Sequence, residues 1–75
     1  MEKKIVLKDG AVISTDSEIR FYPTFISFRV TKDNELVEHL FNLALANKCD
    51  ITEFTDYYHV ILQREEVKEF KINNK

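Results

Sequence analysis

The stretch Asp33 to Lys48, reading DNELVEHLFNLALANK, constrains the fold more than any other. Leu36, Leu40 and Leu43 recur at helical spacing, with Val37, Phe41 and Ala44 beside them. At ~100° per residue, these side chains and Leu45 cover roughly 200° of a helical wheel. Glu35, Glu38, His39, Asn42 and Ala46 fill the rest. An apolar arc that wide exceeds one core stripe. Either the helix sinks into a curved sheet, or one flank meets a partner. Thr31, Asp33 or Asn34 can cap its start, because short side-chain oxygens accept from free backbone N–H groups. Asn47 tolerates a left-handed backbone and marks the stop.

The segments around this helix read as strands. Lys4 to Ser14 (KIVLKDGAVIS) places Asp9-Gly10 between two apolar runs, a strong hairpin signal. A two-residue turn there sets Leu7 opposite Val12 and Val6 opposite Ile13, with positive φ at both Asp9 and Gly10. Thr15 to Glu18 is a polar loop. In Ile19 to Val30 (IRFYPTFISFRV) the apolar parity changes across Pro23, so Ile19 to Tyr22 reads as an edge strand and Thr24 to Val30 as a second strand. Asp50 to Glu53 has the form of a capping box, which would begin a helical turn carrying Ile51 and Phe54. The competing reading is a short strand turning at Thr55-Asp56. Tyr57 to Gln63 (YYHVILQ) is a strand by composition. Arg64 to Glu66 turns, Val67 to Ile72 returns as a hairpin partner, and Asn73 to Lys75 should fray. The expected fold is α+β: a small, mainly antiparallel sheet of four to five strands with one central α-helix on one face, in the order β-β-(β)-β-α-β-β.

Composition bounds what such a chain can do. Seventy-five residues make a single domain, 1–75. Cys49 is the only cysteine, so no disulfide forms within the chain. A lone thiol without an export signal points to a reducing, cytoplasmic setting. No apolar run approaches the ~20 residues that span a bilayer. The formal net charge of −2, with 32% charged residues of both signs, argues against a strongly electrostatic nucleic-acid binder. Abundant Lys, Asn, Ile, Glu and Phe fit an AT-rich bacterial or phage gene.

Candidate chemistry is sparse. His39, Cys49 and His59 are the only soft-metal ligands, and no pair of them has zinc-module spacing. Asp50, Glu53 and Asp56 lack the glycine and the ligand count of a calcium loop. Cys49 with a histidine could make a thiolate nucleophile, but no glycine-rich loop accompanies it. No metal, cofactor or catalytic residue is therefore assigned. Arg20, Phe21, Tyr22, Phe25 and Arg29 interleave rings with cations, and Tyr57 and Tyr58 add two more rings. Single-stranded nucleic-acid platforms use the same residue types.

Alternation leaves apolar groups on both faces of the sheet. The expected helix-side set is Ile5, Leu7, Val12, Ile26, Phe28, Val30, Tyr58, Val60 and Leu62. The opposite set is Val6, Ile13, Phe25, Tyr57 and Ile61, with Arg29 and His59 among them. One helix covers only one face. The second face, through Phe25, Arg29, Tyr57, His59 and Ile61, is the expected contact surface for another protein or a second copy of the chain. The expectation is a small non-enzymatic protein-binding module: a self-associating subunit, an adaptor or an inhibitor. The alternative is a single-stranded nucleic-acid binder using the aromatic and arginine residues of the sheet.

Overall fold

A computed structural model describes residues 2–72. Its strands are β1 (Lys3–Leu7), β2 (Val12–Thr15), β3 (Arg20–Phe21), β4 (Phe25–Thr31), β5 (Cys49–Glu53), β6 (Tyr57–Gln63) and β7 (Val67–Ile72). The helix α1 (Val37–Leu45) follows β4, and a 3-10 turn, Arg64–Glu66, joins β6 to β7. The strands form two antiparallel sheets, of order β2-β1-β7 and β3-β4-β6-β5. The fraying expected for Asn73 to Lys75 lies outside the described residues.

The α+β class and the single helix agree with the sequence reading, and the single sheet does not. The reason is edge accounting. A strand has two hydrogen-bonding edges. Cys49–Glu53 is a strand rather than a helical turn, and it takes one edge of β6 while β4 takes the other. No edge remains for Val67–Ile72 beside β6. The 3-10 turn carries the chain round a corner instead, and β7 pairs with β1.

The first hairpin corrects a second expectation. Its register pairs Ile5 with Ile13 and Val6 with Val12, one residue away from a two-residue turn. Lys8, Asp9 and Gly10 form a three-residue loop, closed by the Leu7 N–H donating to the Ala11 carbonyl at 2.8 Å. Only Gly10 has positive φ, at 94°, and the Asp9 carboxylate accepts from the Ala11 N–H. A type I turn followed by a left-handed glycine has this form. The shift moves every side chain of β2 to the other face. Ile13 is therefore core, Val12 is exposed, and Val6 lies on the outer side of the three-stranded sheet.

The helix is shorter than the pattern that predicts it. Asn34 ties down its approach: the side-chain oxygen accepts from the Leu36 N–H, and the amide donates to the Ser14 carbonyl on β2. Asn47, at φ 62°, ends it. The N–H groups of Asn47 and Lys48 reach back to the carbonyls of Ala44 and Leu43, the paired closure of a Schellman stop. Leu40 and Leu43 are buried, and Leu36, Val37 and Ala44 pack partly against the core. Phe41 and Leu45, both on the apolar arc of the sequence, are 41% and 84% exposed.

One cluster unites the layers. Ile5, Leu7 and Ile13 from the smaller sheet meet Ile26, Phe28, Val30, Val60 and Leu62 from the larger one, with Leu40 and Leu43 from the helix. A nine-residue helix is too short to cover seven strands. The smaller sheet folds over the β3–β4 side of the larger, where Phe21 and Phe70 meet edge to face at 5.0 Å. The helix takes the β5 side. The outer face of the four-stranded sheet is left open.

Candidate functional site

Phe25, Arg29, Tyr57, His59 and Ile61 all lie on that outer face. Successive side chains of a strand alternate, and the register of β4 with β6 sets Arg29 opposite His59 and Ser27 opposite Ile61. Phe25, Tyr57, His59 and Ile61 are half-buried, and Arg29 is exposed. Ser27 is small and only 7% exposed, so the face dips at its centre. The resulting cleft, of about 590 Å³, has Phe25, Ile61 and His59 along one side and Ser17, Glu18 and Arg20 along the other.

A stacked ring pair stands at each end of this face. Pro23-Thr24 is a tight loop in which the Tyr22 N–H donates to the Phe25 carbonyl at 2.9 Å, and their rings stack with centroids 4.6 Å apart. Thr55-Asp56 repeats the arrangement at the other end, with Phe54 bonded to Tyr57 at 2.9 Å and the rings 4.9 Å apart. Between them, the Arg29 guanidinium lies 4.8 Å from the Tyr57 ring centroid, within cation–π range.

The Arg29 backbone is fixed from the side. The edge strand β3 is two residues long, so it ends before Arg29. The Ser17 hydroxyl accepts from the Arg29 N–H at 2.9 Å, and the Thr15 hydroxyl donates to its carbonyl. Two side chains of the TDSE segment thus replace the missing strand and join β2 to β4. The same segment forms a wall of the cleft and leaves the face open.

Tyr22 and Phe54 complete the ring pairs, and neither is in the expected contact set. The signal for both was the turn. A two-residue loop at Pro23-Thr24 or Thr55-Asp56 places the flanking aromatics opposite each other. Val6 and Ile13, expected on this face, are elsewhere: Ile13 because of the hairpin register, and Val6 because β1 lies in the three-stranded sheet.

The nucleophile and metal candidates are dispersed. His39 meets the Asp9 carboxylate at 2.8 Å on the far side of the molecule. The Asp9 carboxyl is held below its ordinary value, first by the Ala11 N–H and also by His39. Cys49 is buried, and its thiol donates to the Leu40 carbonyl at 3.3 Å. Burial, reinforced by the neighbouring Asp50 charge, pushes the thiol up to about 11. A thiol in that state is protonated at neutral pH and is a poor nucleophile. Among the described residues, no three His, Cys, Asp or Glu side chains group as a metal site would require. No helix there is long and apolar enough to cross a membrane.

No protein-family model, no curated protein and no solved structure matches the chain.

Proposed function

We propose that this is a non-enzymatic, cytoplasmic protein-binding module that takes a partner protein on the outer face of its four-stranded sheet. The observation that carries the reading is the pairing of function with parity. On β4 and β6, Phe25, Arg29, Tyr57, His59 and Ile61 point away from the core; Phe25, Arg29, His59 and Ile61 line one shallow cleft, and the Tyr57 ring lies beside it against the Arg29 guanidinium. Aromatic rings at both ends, a central arginine and the half-buried Ile61 are residue types of interface cores. Phe25 and Tyr57 are the anchors. Arg29 meets an acidic or carbonyl group of the partner. A buried, protonated Cys49 suits a reducing compartment.

Single-stranded nucleic acid is the second reading, favoured by the same rings and by Arg20 and Arg29. It is the weaker one because the rings are already stacked on each other and Arg29 already lies on Tyr57. A base-stacking platform presents free ring faces. Affinity capture from native lysate, with and without nuclease, separates the two. A protein partner survives nuclease and is lost when Arg29 is replaced by Glu. Nuclease-sensitive capture with a steep loss of affinity in salt would favour the nucleic-acid reading.

A further inference from the structure

The charge of the outer-face cleft runs against that of the chain. The formal net charge is −2, yet the cleft holds two arginines, Arg20 and Arg29, against one carboxylate, Glu18. The third arginine of the sequence, Arg64, donates to the carbonyl of Tyr22, another lining residue. Among the described residues no lysine lines the cleft. The arginines are spent to different degrees. Arg20 meets Glu18 at 3.6 Å and Arg64 meets the Tyr22 carbonyl at 3.1 Å, whereas the Arg29 guanidinium has only the Tyr57 ring among the described residues.

Arg29 is also the best-positioned of the three. Ser17 and Thr15 hold its backbone N–H and carbonyl, and Tyr57 steadies its head at 4.8 Å. A cation–π contact uses no oxygen acceptor, so the guanidinium keeps its fork of N–H donors for a carboxylate. Directly across the ladder stands His59, a second nitrogen donor lining the same cleft. Two nitrogen bases set opposite each other gain from an anion between them. One unspent guanidinium beside one imidazole balances a single negative charge, which fits a carboxylate better than a doubly charged phosphate. Next along β4 on this face is Ser27, whose small side chain leaves the hollow between Phe25 and Ile61. Asp50 stands opposite Ile61 on β5 and repels an acid there, so the acidic end of an occupant belongs at Arg29.

We infer that the cleft takes an extended acidic segment of the partner protein: a carboxylate side chain sits between Arg29 and His59, and an apolar side chain two residues away fills the hollow over Ser27. The inference rests on the protein-binding reading of this face and adds the chemistry of what binds. The spacing follows from the strand. Arg29 and Ser27 are two residues apart on one face of β4, about 6.6 Å, and side chains two apart in an extended peptide point to one side at the same interval. The pre-set guanidinium lowers the ordering cost of binding, and the apolar neighbour supplies contact area that a free anion lacks.

A random heptapeptide library displayed on phage, selected on the full chain, tests this with Arg29→Lys and Arg29→Glu as variants. Arg29 is exposed, and Ser17 and Thr15 bind its backbone, so both substitutions leave those bonds in place. Peptides enriched on the wild type should share an Asp or Glu two positions from an apolar residue. Fluorescence anisotropy of one such peptide should show at least about tenfold weaker binding, about 1.4 kcal/mol, when glutamine replaces its glutamate. Arg29→Lys should also bind it more weakly, because a point charge replaces a fork. Arg29→Glu should select Lys or Arg at the acidic position, a reversal that a merely structural role would not produce. Acidic peptides selected equally well by Arg29→Glu overturn the inference. Enriched peptides without an acidic residue, lost on Phe25→Glu, overturn it and leave the protein-binding reading standing. A library from which nothing is enriched overturns it as well, and the protein-binding reading falls with it if labelled oligodeoxythymidine binds the wild type and is lost on Arg29→Glu.

Discussion

The strands β4 and β6 carry two faces with opposite duties. On the inner face, Ile26, Phe28, Val30, Val60 and Leu62 are at most 3% exposed and meet the smaller sheet and the helix. On the outer face, the same strands carry Phe25, Arg29, Tyr57, His59 and Ile61, none of which joins the core cluster. Phe25 and Phe28 make the contrast plain: same residue type, same strand, three positions apart, opposite faces. Folding requires the inner ring. The outer ring stacks on Tyr22 across a tight turn and contributes little else to the fold. Apolar surface retained where the fold does not need it is the basis for assigning a binding role to the outer face.

The largest effect should come from the inner face. Phe28→Ala empties a fully packed site and should cost about 3–5 kcal/mol, with Leu40→Ala close behind at about 2–5 kcal/mol. Chemical denaturation measures both. A loss below ~1 kcal/mol at either would mean that the core is centred elsewhere. Next comes the hairpin that holds the smaller sheet in register. Nothing lies within 4 Å of a Cβ added at Gly10, so Gly10→Val meets no clash there. Its cost is backbone strain at φ 94°, about 1–2 kcal/mol. An unchanged midpoint would contradict the left-handed glycine.

A smaller effect is pH-dependent. Asp9 has a folded pKa below its ordinary 3.8. Its contribution is therefore complete above that value and is lost as pH falls through the folded value. Asp9→Asn keeps an acceptor for the Ala11 N–H but removes the charge that faces His39. The group is half-exposed and screened, so the variant should lose less than about 1 kcal/mol at neutral pH. The gap to the wild type should close below pH 3.8. A gap that persists in strong acid would assign the effect to something other than the carboxylate charge.

Much of this was legible in the sequence, and the misses have common causes. The helix, its Asn47 stop, and the strands β4 and β6 follow from periodicity and local propensity. The split into two sheets was not legible, because it depends on which edge of β6 is free. That in turn depends on whether Asp50 to Glu53 is helical or extended, two states of comparable local propensity. The face of β2 depended on one residue of loop length at Asp9-Gly10, which the residue types alone leave open. The shared face of Phe25, Arg29, Tyr57, His59 and Ile61 did not depend on either point, because all five lie on β4 and β6, whose alternation needs no hairpin register. Tyr22 and Phe54 were missed because they belong to turns.

The double substitution of Phe25 and Tyr57 by Glu tests the central claim most directly. Thermal unfolding and partner capture are measured on the same preparation. Neither side chain belongs to the core cluster, so the variant should remain folded and lose roughly 1 kcal/mol or less. Partner binding should fall below detection, since buried aromatic anchors carry most of an interface's energy. A variant that unfolds would show that the outer face serves the fold. A variant that stays folded and binds its partner as tightly as the wild type would show that the partner docks elsewhere.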